Sequence, residues 1–84
     1  MQITFKLYAT LTTFLPESAD KHAVQVNVPA DATVNKVIDQ FKVPRAMAHL
    51  VLLNGVYLPP EARDQPGRIR EGDTLAIWPP VAGG

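Results

Sequence analysis

Only one stretch of this chain spaces its apolar side chains for a helix. Val34, Val37, Ile38 and Phe41 recur at i, i+3, i+4 and i+7, which gathers them on one face of a 3.6-residue turn. Asp31 or Thr33 can cap the first N–H groups of that helix. Lys36, Asp39, Gln40 and Lys42 take its outer face, and Pro44 marks its expected end, because the residue before a proline is pushed out of helical geometry. A lone amphipathic helix must bury its apolar stripe against another layer. The remaining patterned segments read as strands, so that layer is a sheet.

Ile3, Phe5 and Leu7 alternate with Thr4, Lys6 and Tyr8 across residues 2–9, and Val24, Val26 and Val28 alternate across residues 23–28. Period two with β-branched and aromatic residues predicts two half-buried strands, and a hairpin is the simplest way to join them. Residues 10–22 are mixed and accommodate a short helical turn before a loop. The run His49-Leu-Val-Leu-Leu53 reads as a short buried strand, and Asn54-Gly55 makes a tight turn into Val56-Tyr57-Leu58. Residues 60–73, rich in charge, glycine and proline, are expected to wrap over the surface. Glu71-Gly72-Asp73 is a turn, and Thr74–Trp78 is a last alternating strand with Leu75 and Ile77 on one face and Ala76 and Trp78 on the other. The expected fold class is therefore α+β: a mixed sheet packed on one helix, in the order of the β-grasp or ubiquitin-like plan.

With 84 residues the chain fits one domain. It buries roughly 60–65% of its unfolded surface, too little for a deep internal active site. The absence of cysteine excludes a disulfide scaffold, a zinc ribbon, an iron–sulfur centre and a cysteine nucleophile. Eight basic residues balance eight acidic ones, which argues against a nucleic-acid module with its basic stripe. No apolar run approaches the ~18 residues of a membrane span, and Met1–Lys6 lacks the basic and apolar regions of a signal peptide. No membrane association and a cytoplasmic location are the expectations. No metal site is expected either, since His22 and His49 have no ligand spacing around them and read as solvated or locally satisfied. Arg63, Arg68 and Arg70 form a loose basic group interspersed with Glu61, Asp64, Glu71 and Asp73, so a solvated loop is the expectation there.

The chain divides into a body, residues 1–78, and an extended tail, residues 79–84. The tail reads Pro79-Pro80-Val81-Ala82-Gly83-Gly84. Two prolines stop the last strand and favour extended backbone, and six such residues reach about 19 Å. Ala82, Gly83 and Gly84 bring almost no side-chain bulk, so the tail gains little by packing and is entropically costly to order. A flexible glycine-ended arm suits insertion into a narrow channel on another protein, with a carboxylate at its tip. The alternative is a frayed terminus.

These features resemble the sulfur-carrier branch of the ubiquitin-like proteins, and within it the small subunits of molybdopterin synthase. The residues that carry the resemblance are Leu7-Tyr8-Ala9 with Leu11, Asn54-Gly55, Glu71-Gly72-Asp73-Thr74-Leu75, and above all Pro79-Pro80-Val81-Ala82-Gly83-Gly84. Pro16–His22 departs most from the family pattern and receives no role. The resemblance implies that an ATP-dependent activating enzyme adenylates the Gly84 carboxylate and that sulfur then replaces AMP to give a thiocarboxylate. It further implies that a large synthase subunit receives the tail, in a heterotetramer, and that the sulfur passes to cyclic pyranopterin monophosphate in molybdenum cofactor biosynthesis. The chain would be a non-catalytic carrier subunit that binds no cofactor, with ATP used by the activating enzyme. Two alternatives share the tail chemistry: a sulfur carrier for the thiazole of thiamin, and a ubiquitin-like protein modifier. A plain β-grasp binding module with an inert tail is the fourth reading.

Strand parity adds a prediction independent of the family. If the helix covers the face that carries Ile3, Phe5, Leu7, Leu75 and Ile77, then Tyr8, Tyr57 and Trp78 fall on the open face. A parallel pairing of the first and last strands would bring Tyr8 and Trp78 together at the root of the tail. Tyrosine and tryptophan dominate interface hot spots, so these three are the candidate partner-binding residues. The competing expectation is that the segment from Pro59 to Arg70 covers Tyr8 and Trp78.

Overall fold

A computed structural model describes residues 1–80. β1 (Gln2–Leu7) pairs antiparallel with β2 (Ala23–Asn27), with Ile3 opposite Val26 and Phe5 opposite Val24. A 3₁₀ turn over Ala9–Phe14 occupies the connection and buries Leu11. The only α-helix among the described residues, α1 (Val34–Gln40), follows. Of its two candidate caps the fold uses Thr33, whose Oγ1 accepts from the Lys36 N–H at 3.2 Å. The helix ends well before Pro44. Lys42 takes φ +62°, and the Val43 N–H returns to the Ile38 carbonyl at 3.3 Å, so a left-handed residue closes the helix before the proline can act.

β3 (Leu50–Leu53) and β4 (Val56–Tyr57) form a hairpin around Asn54 and Gly55, at φ +52° and +82°, the positive pair that a two-residue turn of this hand demands. β5 (Thr74–Trp78) runs antiparallel to β3 and parallel to β1. The five strands stand in the order β2-β1-β5-β3-β4. This is the β-grasp architecture expected from the sequence. Ile3, Phe5, Leu7, Val51, Leu75 and Ile77 from the sheet meet Val34, Val37 and Ile38 from α1, all at most 1% exposed, and the Phe5 and Phe41 rings stack at 4.3 Å.

Two expectations are corrected. The run from His49 to Leu53 is not a buried strand: only Val51 is fully buried, and Leu50 is 37% exposed, because one face of the sheet carries no covering layer. Residues 60–73 do not simply wrap over the surface. A 3₁₀ turn over Pro60–Ala62 turns Ala62 inward, and Arg63 and Ile69 are buried too. Arg63 therefore leaves the solvated basic group to which its sequence context assigns it. Among the described residues no helix is long and apolar enough to cross a membrane.

Candidate functional site

The open face of the sheet carries the candidate site. In the parallel β1–β5 ladder Leu7 stands beside Ile77 and Lys6 beside Ala76, so the next residue of each strand, Tyr8 and Trp78, emerges on the uncovered side. The Tyr8 N–H donates to the Ile77 carbonyl at 3.2 Å, which carries the pairing one step past the end of β1. The two rings stack 4.3 Å apart and 2° from parallel. This is the juxtaposition expected from strand parity.

The structure adds His22, which sequence reasoning leaves out of the site. The Leu7 N–H donates to the His22 carbonyl at 2.9 Å, extending the β1–β2 register by one step. The His22 ring then lies on Tyr8, with centroids 4.7 Å apart and planes inclined by 22°. Its Nδ1 donates to the Leu7 carbonyl at 3.2 Å, because a carbonyl can only accept. Strand alternation would put His22 on the covered face with Val24; the tight turn from Asp20 to Ala23, with Lys21 at φ +58°, lets its ring reach Tyr8 instead. On the other flank, Leu50 is the register partner of Trp78. A row His22–Tyr8–Trp78–Leu50 thus crosses four neighbouring strands or their ends.

Tyr57 shares the open face but not the row. Its register partner is Leu52, which in turn stands opposite Ala76, so Tyr57 lies one row back and two strands from β5. It is 51% exposed, and Leu50 and Leu52 bridge it to Trp78. Those two leucines were missing from the candidate set because an unbroken apolar run hides which alternate positions face out. Tyr8 and Trp78 are half-buried, and Tyr8 stacks on both His22 and Trp78. The polar contacts of the segment from Pro59 to Arg70 go elsewhere: the Asn35 N–H donates to the Arg63 carbonyl at 3.0 Å, and Asn35 Nδ2 donates to Asp64.

Pro79 follows Trp78 directly and is half-buried, and Pro80 is exposed. Val81, Ala82, Gly83 and Gly84, the remaining tail candidates, lie outside the described residues.

The face is a surface rather than a pocket. Two shallow depressions, of about 450 and 310 Å³, are lined respectively by Ser18, Asp20, Ala23, Val24 and Gln25, and by residues that include Arg45, His49 and Arg63; neither is lined by Tyr8 or Trp78. The described residues include no cluster of three metal-ligating side chains. The perturbed titrating pair is Asp39 and Arg45, at the helix end and the turn after it. Arg45 Nε and Nη2 donate to the Asp39 carboxylate at 3.1 and 2.7 Å, and this bidentate contact holds the carboxyl below the ordinary aspartate range and raises Arg45. What the open face offers chemically is a flat, half-wet aromatic and aliphatic surface. Aromatic and aliphatic surface of this kind is the composition found in the cores of protein–protein interfaces.

The fold and this open face define a β-grasp protein of the ubiquitin-like class. The chain belongs to the Mut7-C ubiquitin family, whose model matches residues 1–82. No curated protein matches it. Among solved structures it is similar to SAMP1 from Haloferax volcanii, at 28% identity over 100% of both chains with a TM-score of 0.67. It is also similar to a putative molybdopterin converting factor subunit 1 from Pyrococcus furiosus, at 18% identity over 95% of this chain and 98% of that one, TM-score 0.64. A third likeness is to the complex of subunits 1 and 2 of molybdopterin-converting factor from Helicobacter pylori, at 13% identity over 100% of both chains, TM-score 0.59. The last two establish the fold alone.

Proposed function

We propose that this chain is a sulfur carrier of the molybdopterin-synthase type. Gly84 is adenylated by an ATP-dependent enzyme, converted to a thiocarboxylate, and delivered into a large synthase subunit that passes the sulfur to cyclic pyranopterin monophosphate. One observation carries the reading: the stacked Tyr8–Trp78 pair sits on an uncovered sheet face, and Trp78 is the last strand residue before Pro79. A partner docked on that face lies at the root of the segment that leads to Gly84. The likeness to the Helicobacter pylori two-subunit complex supports a large-subunit partner.

The chemistry follows from the carboxylate. With a pKa of about 3.3–3.7 an α-carboxyl is an anion at neutral pH and resists nucleophiles. One carboxylate oxygen attacks the α-phosphorus of ATP, pyrophosphate leaves, and the acyl adenylate gains a leaving group. Hydrosulfide then attacks the acyl carbon and AMP departs. With no cysteine in the chain, Gly84 is where the sulfur attaches. A body that steers and a tip that reacts leave the catalytic groups to the partners.

The test is intact-mass spectrometry after incubation with ATP, an activating enzyme and hydrosulfide. Replacement of one oxygen by sulfur, lost when Gly84 is deleted, is the expected result. Protein purified from its own cells is measured alongside, because the reading requires Gly84 to carry a free α-carboxylate there. The full-length similarity to SAMP1, a small archaeal modifier protein of Haloferax volcanii, favours a second reading in which the activated glycine is joined to lysines. Stable isopeptide adducts in cell extracts, without a thiocarboxylate form, would select it.

A further inference from the structure

Arg63 is the only charged side chain buried among the described residues, at 7% exposure. Its Nε donates to the Leu58 carbonyl at 3.0 Å, Nη1 to the Ala48 carbonyl at 3.0 Å, and Nη2 to the His49 carbonyl at 3.3 Å. The ion pair found among the described residues joins Arg45 to Asp39, so Arg63 is held by main-chain oxygens rather than by a carboxylate. Taking a guanidinium out of water is costly, and an apolar residue would fill the same space without that cost. What the arginine supplies is a planar fork that reaches three carbonyls flanking two strands at once, which a lysine ammonium does not match in geometry.

The three oxygens mark where β4 ends and where β3 begins. The Ala48 carbonyl and the His49 N–H belong to one peptide unit, which is rigid and planar. That N–H donates to the Trp78 carbonyl at 3.1 Å. A single peptide plane therefore takes the guanidinium at one edge and holds the end of β5 at the other, and the two hydrogen bonds polarise each other. We infer that Arg63 is a positioning residue for the tail: through the Ala48–His49 peptide it fixes Trp78, and so sets the point and direction in which Pro79 leaves the sheet. Arg63 acts through the strand end, by the three main-chain oxygens it holds.

This deepens the carrier reading and rests on it for its kinetic consequence, but not for its structural one. The experiment compares the wild-type chain with Arg63→Met and Arg63→Lys. Amide hydrogen exchange is followed at His49, whose N–H holds Trp78, and at Leu7, whose N–H lies in the β1–β2 ladder and reports general loosening. Adenylation by an activating enzyme is measured in parallel. In Arg63→Met the expected result is a His49 amide that exchanges about tenfold faster relative to Leu7, the worth of about one hydrogen bond. KM for the carrier is expected to rise at nearly constant kcat, with Arg63→Lys between the two. Should Arg63→Met fail to fold, Arg63→Lys decides alone. Exchange at His49 that rises only in step with Leu7 overturns the inference, as does an unchanged KM with a loosened His49. A wild-type chain that is never adenylated sinks the carrier reading instead, and the exchange comparison then still decides whether Arg63 positions Trp78.

Discussion

The rings of Tyr8 and Trp78 lie 4.3 Å apart and 2° from parallel, on residues that the chain separates by nearly its whole length. Stacked aromatic pairs of this kind contribute about 0.5–1.5 kcal/mol beyond the area they bury. Both rings are partly exposed, so the pair stabilises the fold only modestly while it leaves aromatic surface open to solvent. Trp78→Ala should therefore lower the unfolding free energy by about 1–3 kcal/mol and leave the fold intact, as read from amide NMR shifts away from the Tyr8–Trp78 stack. Affinity for the activating enzyme or large subunit should fall by about 2 kcal/mol or more, as hot-spot tryptophans do. Titration calorimetry beside urea unfolding separates the two effects. A variant that does not fold would place Trp78 in the core.

Backbone strain gives a prediction of opposite sign at two turns. Lys42 closes α1 at φ +62° and Gly55 turns the β3–β4 hairpin at φ +82°. A Cβ on Gly55 would meet nothing within 4 Å, so Gly55→Ala probes the dihedral angle alone and should cost about 1 kcal/mol. Lys42→Gly relieves the same kind of strain but enlarges the freedom of the unfolded chain. It should be neutral or stabilising by up to about 1 kcal/mol. Paired urea denaturation curves at constant m-value measure both.

The elements were legible in the sequence because two periodicities carry them. Val34, Val37 and Ile38 at helical spacing, and Ile3, Phe5 and Leu7 at strand spacing, all reach the core. The Tyr8–Trp78 contact was legible as well, since parity and a parallel β1–β5 pairing determine it. Arg63 was not. Its burial depends on carbonyl oxygens 5 to 15 residues away, which no local pattern encodes, and its charged, proline-rich surroundings read as solvent-facing. Leu50 and Leu52 were hidden for a different reason: an apolar run of four has no polar alternate to reveal which side chains face out. His22 was hidden because alternation assigns it to the covered face, and only the tight Asp20–Ala23 turn, with Lys21 at φ +58°, brings its ring onto Tyr8.

Electrostatics enters through Asp39. Arg45 holds its carboxyl below the ordinary aspartate value, chiefly through the bidentate hydrogen bond. The native state therefore binds the proton less tightly than the unfolded chain does. The stabilisation is fully present above the unfolded value of about 3.9 and is lost as pH falls through the lower native value. Both side chains are about half exposed, at 54% and 50%, so salt screens the pair. In a carboxyl-carbon NMR titration Asp39 should titrate below the ordinary aspartate value. Arg45→Gln or high salt should move it back up, and neither change should alter binding at the sheet face on the far side of the helix layer.

The fold contains two aromatic stacks with the same 4.3 Å centroid distance, Phe5–Phe41 and Tyr8–Trp78, and they should fail in opposite ways. Phe5 is fully buried between the sheet and α1, where its loss leaves a cavity that close-packed neighbours cannot refill. Phe5→Leu should cost about 1–3 kcal/mol, a large fraction of the ~4–13 kcal/mol that 84 residues command, yet leave partner affinity of the folded protein unchanged. On the open face, Leu50→Glu adds a charge at a position 37% exposed beside Trp78. It should shift stability by less than about 1 kcal/mol, because the carboxylate stays hydrated, while it weakens partner binding about tenfold or more, because docking would strip that hydration. Thermal unfolding and calorimetric titration on the two variants form a crossed comparison. If Leu50→Glu binds as the wild type does, the partner sits elsewhere and the aromatic row is not the docking face; if Phe5→Leu loses affinity at a temperature where it is fully folded, the core and the open face are coupled through β1.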